Sequence, residues 1–258
     1  MPSLRFCALA SGSRGNAFFI SCGTTSLLLD AGLPGKEIAR RLAVRGIDPQ
    51  GLSAVIVSHE HTDHLKGVGV VARRWKIPVR ISSGTWAAGC PQLGRIPELI
   101  CFESGEAFSV GPMRIQPFAV SHDAADPVGF TISSNGNRIG IATDLGLATA
   151  NVRDHLKGCA LVVIEANHDP EMLASGPYPW PLKQRIRGRS GHLSNEDAAR
   201  LIMEIRHSGL RHVVLGHLSE TNNTPEKAIT AVGRVLQNSG TRLEAARQDF
   251  CGEMIEIF

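Results

Sequence analysis

The chain has 258 residues, 43% hydrophobic and 20% charged, an ordinary soluble composition long enough for one large single-core domain or two small ones. No run approaches the roughly 18 apolar residues of a membrane span, and Met1-Pro2-Ser3-Leu4-Arg5 lacks a signal peptide's basic head and apolar centre. These features predict a cytoplasmic protein with no membrane partner. A net charge of +3 is too small to prove a nucleic-acid partner, so the placement of the charges matters more than their sum.

Leu4 to Leu9 reads as a strand, followed by the small-residue loop Ala10-Ser11-Gly12-Ser13-Arg14-Gly15-Asn16. Either this loop is a connector, or Arg14 and Asn16, framed by glycines, bind a phosphate. Ala17 to Cys22 and Ser26 to Leu29 form a hairpin around Gly23-Thr24. Asp30 then ends a strand, and it either caps a helix from Pro34 to Val44 or supports a ligand of the next segment from behind.

That segment is Ser58-His59-Glu60-His61-Thr62-Asp63-His64, with five ligand-capable side chains in six residues. It follows Leu52 to Val57, a β-branched apolar run that reads as a buried strand, and precedes an expected helix from His64 to Trp75. In an extended turn alternate residues project the same way, so His59 and His61 grip one metal together. Asp63 and His64 face a second. Imidazole suits Zn, Fe, Mn or Cu, and the adjacent carboxylate favours divalent ions that serve hydrolysis.

Strands are expected at 78–81, 99–102, 107–110, 113–120, 128–134 and 138–142, with a short helix near Ser83. Two of these runs end in Ser121-His122-Asp123 and Thr143-Asp144, repeating the pattern of a ligand-type residue at an apolar strand's end. Leu161 to Ile164 runs likewise into Glu165-Ala166-Asn167-His168-Asp169. His168 either faces the site and touches substrate or caps the next helix. Lys183, Arg185, Arg187 and Arg189 then make a basic strip near Tyr178 and Trp180, read as a phosphate-backbone contact over a solvated helix face.

Gly191-His192-Leu193-Ser194-Asn195 starts a helix with a stripe at Ala198, Leu201, Ile202 and Ile205. Arg211 to Leu218 is a strand running into His217, and Thr224-Pro225-Glu226 opens a helix to about Gln237 before two terminal strands. No repeat or linker divides the chain, which predicts one domain spanning 1–258. The six cysteines form no C-x-x-C pair, and buried apolar roles are expected for most of them.

Collected, the ligand candidates are His59, His61, Asp63, His64, His122, Asp144 and His217. His59, His61 and His122 would hold one divalent ion and Asp63, His64 and His217 another. Asp144 would bridge a pair about 3.5–4 Å apart. Zn, Mn or Fe would suit such ligands. A hydroxide between two such ions is a nucleophile at neutral pH, because the metals lower the pKa of bound water toward ~7.

This ordered set, with Asp30 before it, resembles the metallo-β-lactamase fold superfamily. The resemblance implies an αβ/βα sandwich, two mixed sheets back to back with helices outside and the metals at one edge. Residues and periodicity alone give only a mixed α and β domain. More narrowly, Ser11 to Asn16, Glu165 to Asp169, Gly191 to Asn195 and His217-Leu218-Ser219-Glu220-Thr221-Asn222-Asn223 look like the YycJ/WalJ-like proteins. That family is associated with 5′-to-3′ exonuclease activity on DNA. The Glu165 and His192 motifs are also similar to those of the tRNA 3′-processing endonucleases, in which the corresponding histidine assists the leaving group.

The expected function is therefore a dinuclear phosphodiesterase acting on nucleic acid, DNA before RNA. Asp63 is both ligand and catalytic residue, and His192 protonates the leaving oxygen. Arg14, Asn16, His168, Lys183, Arg185 and Arg187 contact substrate, and Asp30 and Glu165 support the ligands. The alternatives are a thioesterase of glyoxalase II type or a lactonase, an RNA nuclease resembling the tRNA 3′-processing enzymes, or a non-catalytic module that kept the fold. A phosphodiester needs charge neutralised on its non-bridging oxygens and a proton for its leaving group, which the basic residues and His192 supply.

Overall fold

The computed structural model describes residues 2–258. Its strands fall into two seven-stranded sheets. The first contains β1 (Leu4–Ala10), β2 (Ala17–Cys22), β3 (Thr25–Leu29), β4 (Ala54–Ile56), β5 (Val79–Ser82) and β6 (Leu99–Phe102), with the C-terminal β14 (Ile255–Ile257) beside β1. The second holds β7 (Phe108–Val110), β8 (Met113–Ala119), β9 (Val128–Ser134), β10 (Asn137–Ala142), β11 (Leu161–Glu165), β12 (His212–Gly216) and β13 (Arg242–Ala245), adjacent in that order. Each sheet is mixed. Hairpins make β1 to β3 and β7 to β10 antiparallel, whereas β3 to β6 and β10 to β13 pair in parallel.

The apolar strands serve two cores at once because alternate residues point to opposite faces. Phe6 and Ala8 of β1, Phe18 and Ile20 of β2, and Leu161 and Val163 of β11 enter one cluster between the sheets. Their neighbours Cys7, Leu9 and Phe19 pack instead under α1 (Gly35–Val44), through Ile38 and Leu42, and under α3 (Val68–Trp75), through Val68 and Val71. On the far side, Val162 and Ile164 pack with Val152 of α5 (Ala150–Leu156), Leu201 and Ile202 of α8 (Asn195–Ile205) and Val232 of α9 (Pro225–Gly233). The result is the expected αβ/βα four-layer sandwich.

Three expectations need adjustment. The helix placed from His64 to Trp75 is two pieces, α2 (Thr62–Leu65) and α3, parted at Lys66-Gly67. Gly67 N–H donates to the Ala31 carbonyl at 2.7 Å instead of to the preceding helical turn, which parts the two helices. Near Ser83 stands α4 (Ser83–Leu93), which runs eleven residues rather than a short turn. The last helix stops at Gly233, a residue before Arg234 starts a 3₁₀ turn. Two further helices, α6 (Pro170–Ser175) and α7 (Trp180–Arg187), lie between β11 and α8. No helix among the described residues is long and apolar enough to cross a membrane, and all six cysteines are free.

Candidate metal centre

The ligand-type residues gather where strands of both sheets end. Asp30 follows β3, residues 58 to 64 follow β4, His122 follows β8, Asp144 follows β10, Glu165 ends β11 and His217 follows β12. Parallel strands leave their carboxyl ends at one edge, which is where open α/β sheets bind ligands. Asp30, Asp144 and His217 all have positive φ, at 57°, 57° and 52°. A non-glycine residue there is strained, and such positions collect at functional sites. Here the left-handed turn redirects the chain directly after a strand.

One nitrogen or oxygen from each of His59, His61 and His122 forms a group lying within 4.8 Å, and Asp63, His64, Asp144 and His217 form another. His61 Nδ1 and His122 Nε2 are 3.2 Å apart, close to the roughly 3.4 Å separating two nitrogens on one tetrahedral zinc. In the second group His64 Nε2 lies 3.1 Å from Asp144 Oδ2, and His217 Nε2 lies 3.3 Å from Asp63 Oδ2. These are contacts without hydrogen-bond alignment: His59 Nε2, Asp144 Oδ2 and His217 Nε2 are buried and unpartnered. Buried polar atoms are nearly always paired, so atoms converging unmatched on common centres fit metal ions.

In His59, His64, His122 and His217 the opposite ring nitrogen is engaged, which fixes the free one. Asp30 accepts Ser58 N–H on Oδ1 at 2.8 Å and Ser58 Oγ–H on Oδ2 at 2.8 Å. It also accepts His64 Nδ1–H on Oδ2 at 2.8 Å. With its proton given to Asp30, Ser58 Oγ accepts from His59 Nδ1 at 3.0 Å. His122 Nδ1 donates to the Gly191 carbonyl at 3.2 Å. Glu165 Oε1 takes His217 Nδ1–H at 2.8 Å and His192 Nδ1–H at 2.7 Å. Outer partners of this kind orient ligand imidazoles and fix their tautomers. Ser58 and Gly191 escaped the sequence reading, although Ser58 opens the histidine segment at the strand's very end.

The electrostatics also favour cations. Burial opposes charge on His64 and His217, yet the carboxylates of Asp144, Asp63, Asp30 and Glu165 around them hold both rings well above the ordinary imidazole range. Burial would likewise raise Asp63 and Asp144, but the histidine charges hold both below the usual carboxylate range. His59, buried and beside His64, is pushed well down. Divalent ions bound there would take the place of protons on these histidines, since a ligand histidine must be neutral.

Asp144, Glu165, His192 and His217 make a third close group. Glu165 is a relay within it, because Oε2 accepts Leu145 N–H at 3.0 Å and Leu193 N–H at 3.1 Å in addition to the two imidazoles on Oε1. Burial raises Glu165, but His192 and His217 hold it down to about 2. Burial lowers His192, while the Glu165 charge and hydrogen bond outweigh that and raise it. With Nδ1 committed to Glu165 and 4.0 Å from Asp144 Oδ1, His192 keeps Nε2 without a protein partner on a side chain 22% exposed.

Several expected substrate contacts have other occupations. Asn16 is fully buried, and its Nδ2–H donates to Asp63 Oδ2 at 3.1 Å and approaches His64 Nε2 at 3.0 Å. It therefore braces the second ligand group rather than a phosphate. Arg14 is exposed but paired with Glu220 at 2.6 Å and Asp249 at 2.9 Å, so its charge is already spent. Lys183 is buried and donates Nζ–H to the Ala174 carbonyl at 2.7 Å, which removes it from the basic strip. Arg185 pairs with Asp123 at 2.6 Å, next to His122. Of the named strip residues, Arg187 and Arg189 have neither an ion pair nor a side-chain hydrogen bond among the described residues, and both are exposed. His168 is buried at 3% exposure and does not cap α6, whose cap is Asp169. Asp30 likewise leaves α1 uncapped.

This architecture and these ligand groups define a metal-dependent hydrolase of the metallo-β-lactamase fold. A family model described as the beta-lactamase superfamily domain matches residues 25–218. The chain is 38% identical over 239 residues to exodeoxyribonuclease YycJ of Bacillus anthracis, covering 92% of this chain and 90% of that protein. It is also 38% identical over 238 residues to exodeoxyribonuclease WalJ of Streptococcus pneumoniae serotype 2, covering 90% and 88%. Among solved structures, the metallo-β-lactamase fold protein YhfI of Bacillus subtilis superposes with a TM-score of 0.78 at 15% identity over 99% of this chain and 100% of that one, a likeness of fold. The chain belongs to the beta-lactamase superfamily and, within it, to the family of the YycJ and WalJ exodeoxyribonucleases.

Proposed function

We propose that this chain is a dinuclear metal-dependent phosphodiesterase that degrades DNA from an end in the 5′-to-3′ direction, the whole chain acting as one domain. The observation that carries the reading is the Glu165–His192 pair beside two groups of metal-ligand-type side chains, in a chain 38% identical to exodeoxyribonucleases. His59, His61 and His122 would hold one ion, and Asp63, His64 and His217 the other, with Asp144 between them. Zinc, manganese or iron bound there would polarise the phosphoryl oxygens and lower the pKa of a water toward ~7.

The chain's own residues do the rest. Asp30 and Ser58 keep the metal-facing nitrogens of His59 and His64 as acceptors, and Glu165 does so for His217. Asn16 holds Asp63 by its carboxylate and backbone at once. Protonated on Nε2, His192 delivers a proton to the departing sugar oxygen, a step worth ~10²–10⁴-fold. A thioester leaves without that help, so nothing in a thioesterase would require the Glu165–His192 pair.

End-labelled single- and double-stranded DNA and RNA, incubated with each metal, test this directly. Mononucleotides should appear from the 5′ end of DNA, together with slow turnover of bis-p-nitrophenyl phosphate. Turnover of a thioester with no cleavage of any phosphodiester would replace this reading with the glyoxalase-type one.

A further inference from the structure

His192 is the common wall of two polar pockets. One, of about 290 Å³, is lined by Ser13, Asp123, Tyr178, Arg185 and Ser219. The other, of about 170 Å³, is lined by His168, Arg187, Ser194, Asp197 and Gly146. The second holds an unexplained group. His168 is only 3% exposed, yet its Nδ1 is buried with no protein partner. The backbone that carries the ring is held in place, because the His168 carbonyl accepts Asn195 N–H at 2.9 Å and the residue bridges to Ser194. A buried nitrogen left unmatched in a ring that lines a polar pocket calls for a partner atom.

The charges around it define that ligand's sign. Asp197 lines the pocket, but its Oδ2 accepts Ser194 Oγ–H at 2.7 Å and its Oδ1 accepts Arg200 at 2.6 Å. Its charge is thereby matched locally. Arg187 has no such partner, in contrast to Arg185, which is held by Asp123. The unmatched charge at this pocket is positive. Its volume is well below the ~300 Å³ at which small-molecule sites begin, so it takes a group rather than a nucleotide.

We propose that this pocket is a second phosphate subsite, in which His168 and Arg187 hold a substrate phosphate other than the scissile one. The proposal rests on the nuclease reading above and adds to it a place for the neighbouring phosphate. A strand would lie across His192, with the scissile phosphate on the side of the ligand groups and its neighbour against His168. That anchoring fixes which phosphodiester His192 meets. The occupant is either a terminal monophosphate or an internal diester, and the chemistry that recognises both is the same.

Histidine-ring ¹⁵N spectra of the metal-loaded full chain decide the binding. Titration with inorganic phosphate should move the His168 signal saturably, and Arg187→Gln should weaken its half-saturation about tenfold, the scale of one charge-assisted contact. A His168 signal that stays still, or saturates identically in Arg187→Gln, overturns the subsite. Arg187 is exposed, so this variant folds even where a change at His168 does not. Because no turnover is read, the result is separate from the nuclease reading, which fails on its own if no phosphodiester is cleaved. Single-turnover hydrolysis then identifies the occupant, using oligodeoxynucleotides with a 5′-hydroxyl in place of the 5′-phosphate or one methylphosphonate beside the scissile bond. Wild type should slow about tenfold on one of the two and His168→Gln much less. Equal slowing of both proteins on both substrates overturns the proposal.

Discussion

Asp144 shows how a single residue carries geometry and charge together. Its left-handed φ of 57° costs roughly 1–2 kcal/mol for an ordinary side chain, and asparagine tolerates that conformation as well as aspartate does. Asp144→Asn should therefore melt within a few degrees of the chelator-treated wild type while losing metal by elemental analysis and turnover on DNA. A full metal complement in that variant would refute its place between the ions. Glu165 poses the opposite case, since all four of its contacts are donors. A glutamine would turn an NH₂ toward two of them and leave buried donors unmatched, at about 1–3 kcal/mol. Glu165→Gln should lower the melting temperature and cut turnover ~10–100-fold, more on a DNA alkoxide than on p-nitrophenolate. Equal loss on both leaving groups would deny His192 its acid role. The ligand-type residues were legible because they crowd one segment and recur at strand ends. Ser58 and Asn16 were not, because a small polar residue gives no sign of facing a histidine until the chain is folded.

At the scale of elements, the loop after β3 must touch the turn that carries Asp63. Asn16 N–H donates to the Asp63 carbonyl at 2.7 Å, and Gly32 lies against that same carbonyl, where a Cβ would overlap it. Gly32→Ala should thus displace Asp63 and Asn16 together and lower metal affinity, measured by competition with a chelator, more than it lowers the melting temperature. An unchanged affinity would show that the turn can yield. Helix α7 gives the complementary lesson about charge. Four cations in seven residues read as one surface strip, but burial depends on tertiary partners that a run of letters does not contain. Lys183→Ala should lower stability by roughly 1–2 kcal/mol, through its lost carbonyl contact and stem packing, and leave the salt dependence of DNA binding intact. Arg187→Ala should do the reverse, reducing the slope of log K against log salt by about one. Identical effects from the two substitutions would restore the uniform strip.

At the scale of the whole molecule, apolar runs such as Leu161 to Ile164 marked buried strands, but the layered sandwich was legible only through the family resemblance, and no run of residues told which sheet a strand joins. The return of β14 to pair with β1, Leu4 opposite Ile257, joins the ends of the chain and has no local signal. What both sheets share is the edge where Asp30, Asp144 and Glu165 are each buried to 2% exposure or less. Buried carboxylates need compensation, and without ions only protons on the surrounding histidines provide it. Metal binding should then contribute to folding as well as to turnover, by RT ln(1 + [M]/Kd), about 4 kcal/mol when free metal exceeds Kd a thousandfold. Adding a strong chelator at neutral pH should lower the melting temperature of the wild type by several degrees, and that of Asp144→Asn by much less because its ligand set is already broken. If chelation leaves the wild-type melting curve in place while the metal is shown to have left, the edge is stabilised by its protons and hydrogen bonds alone, and the ions serve chemistry only.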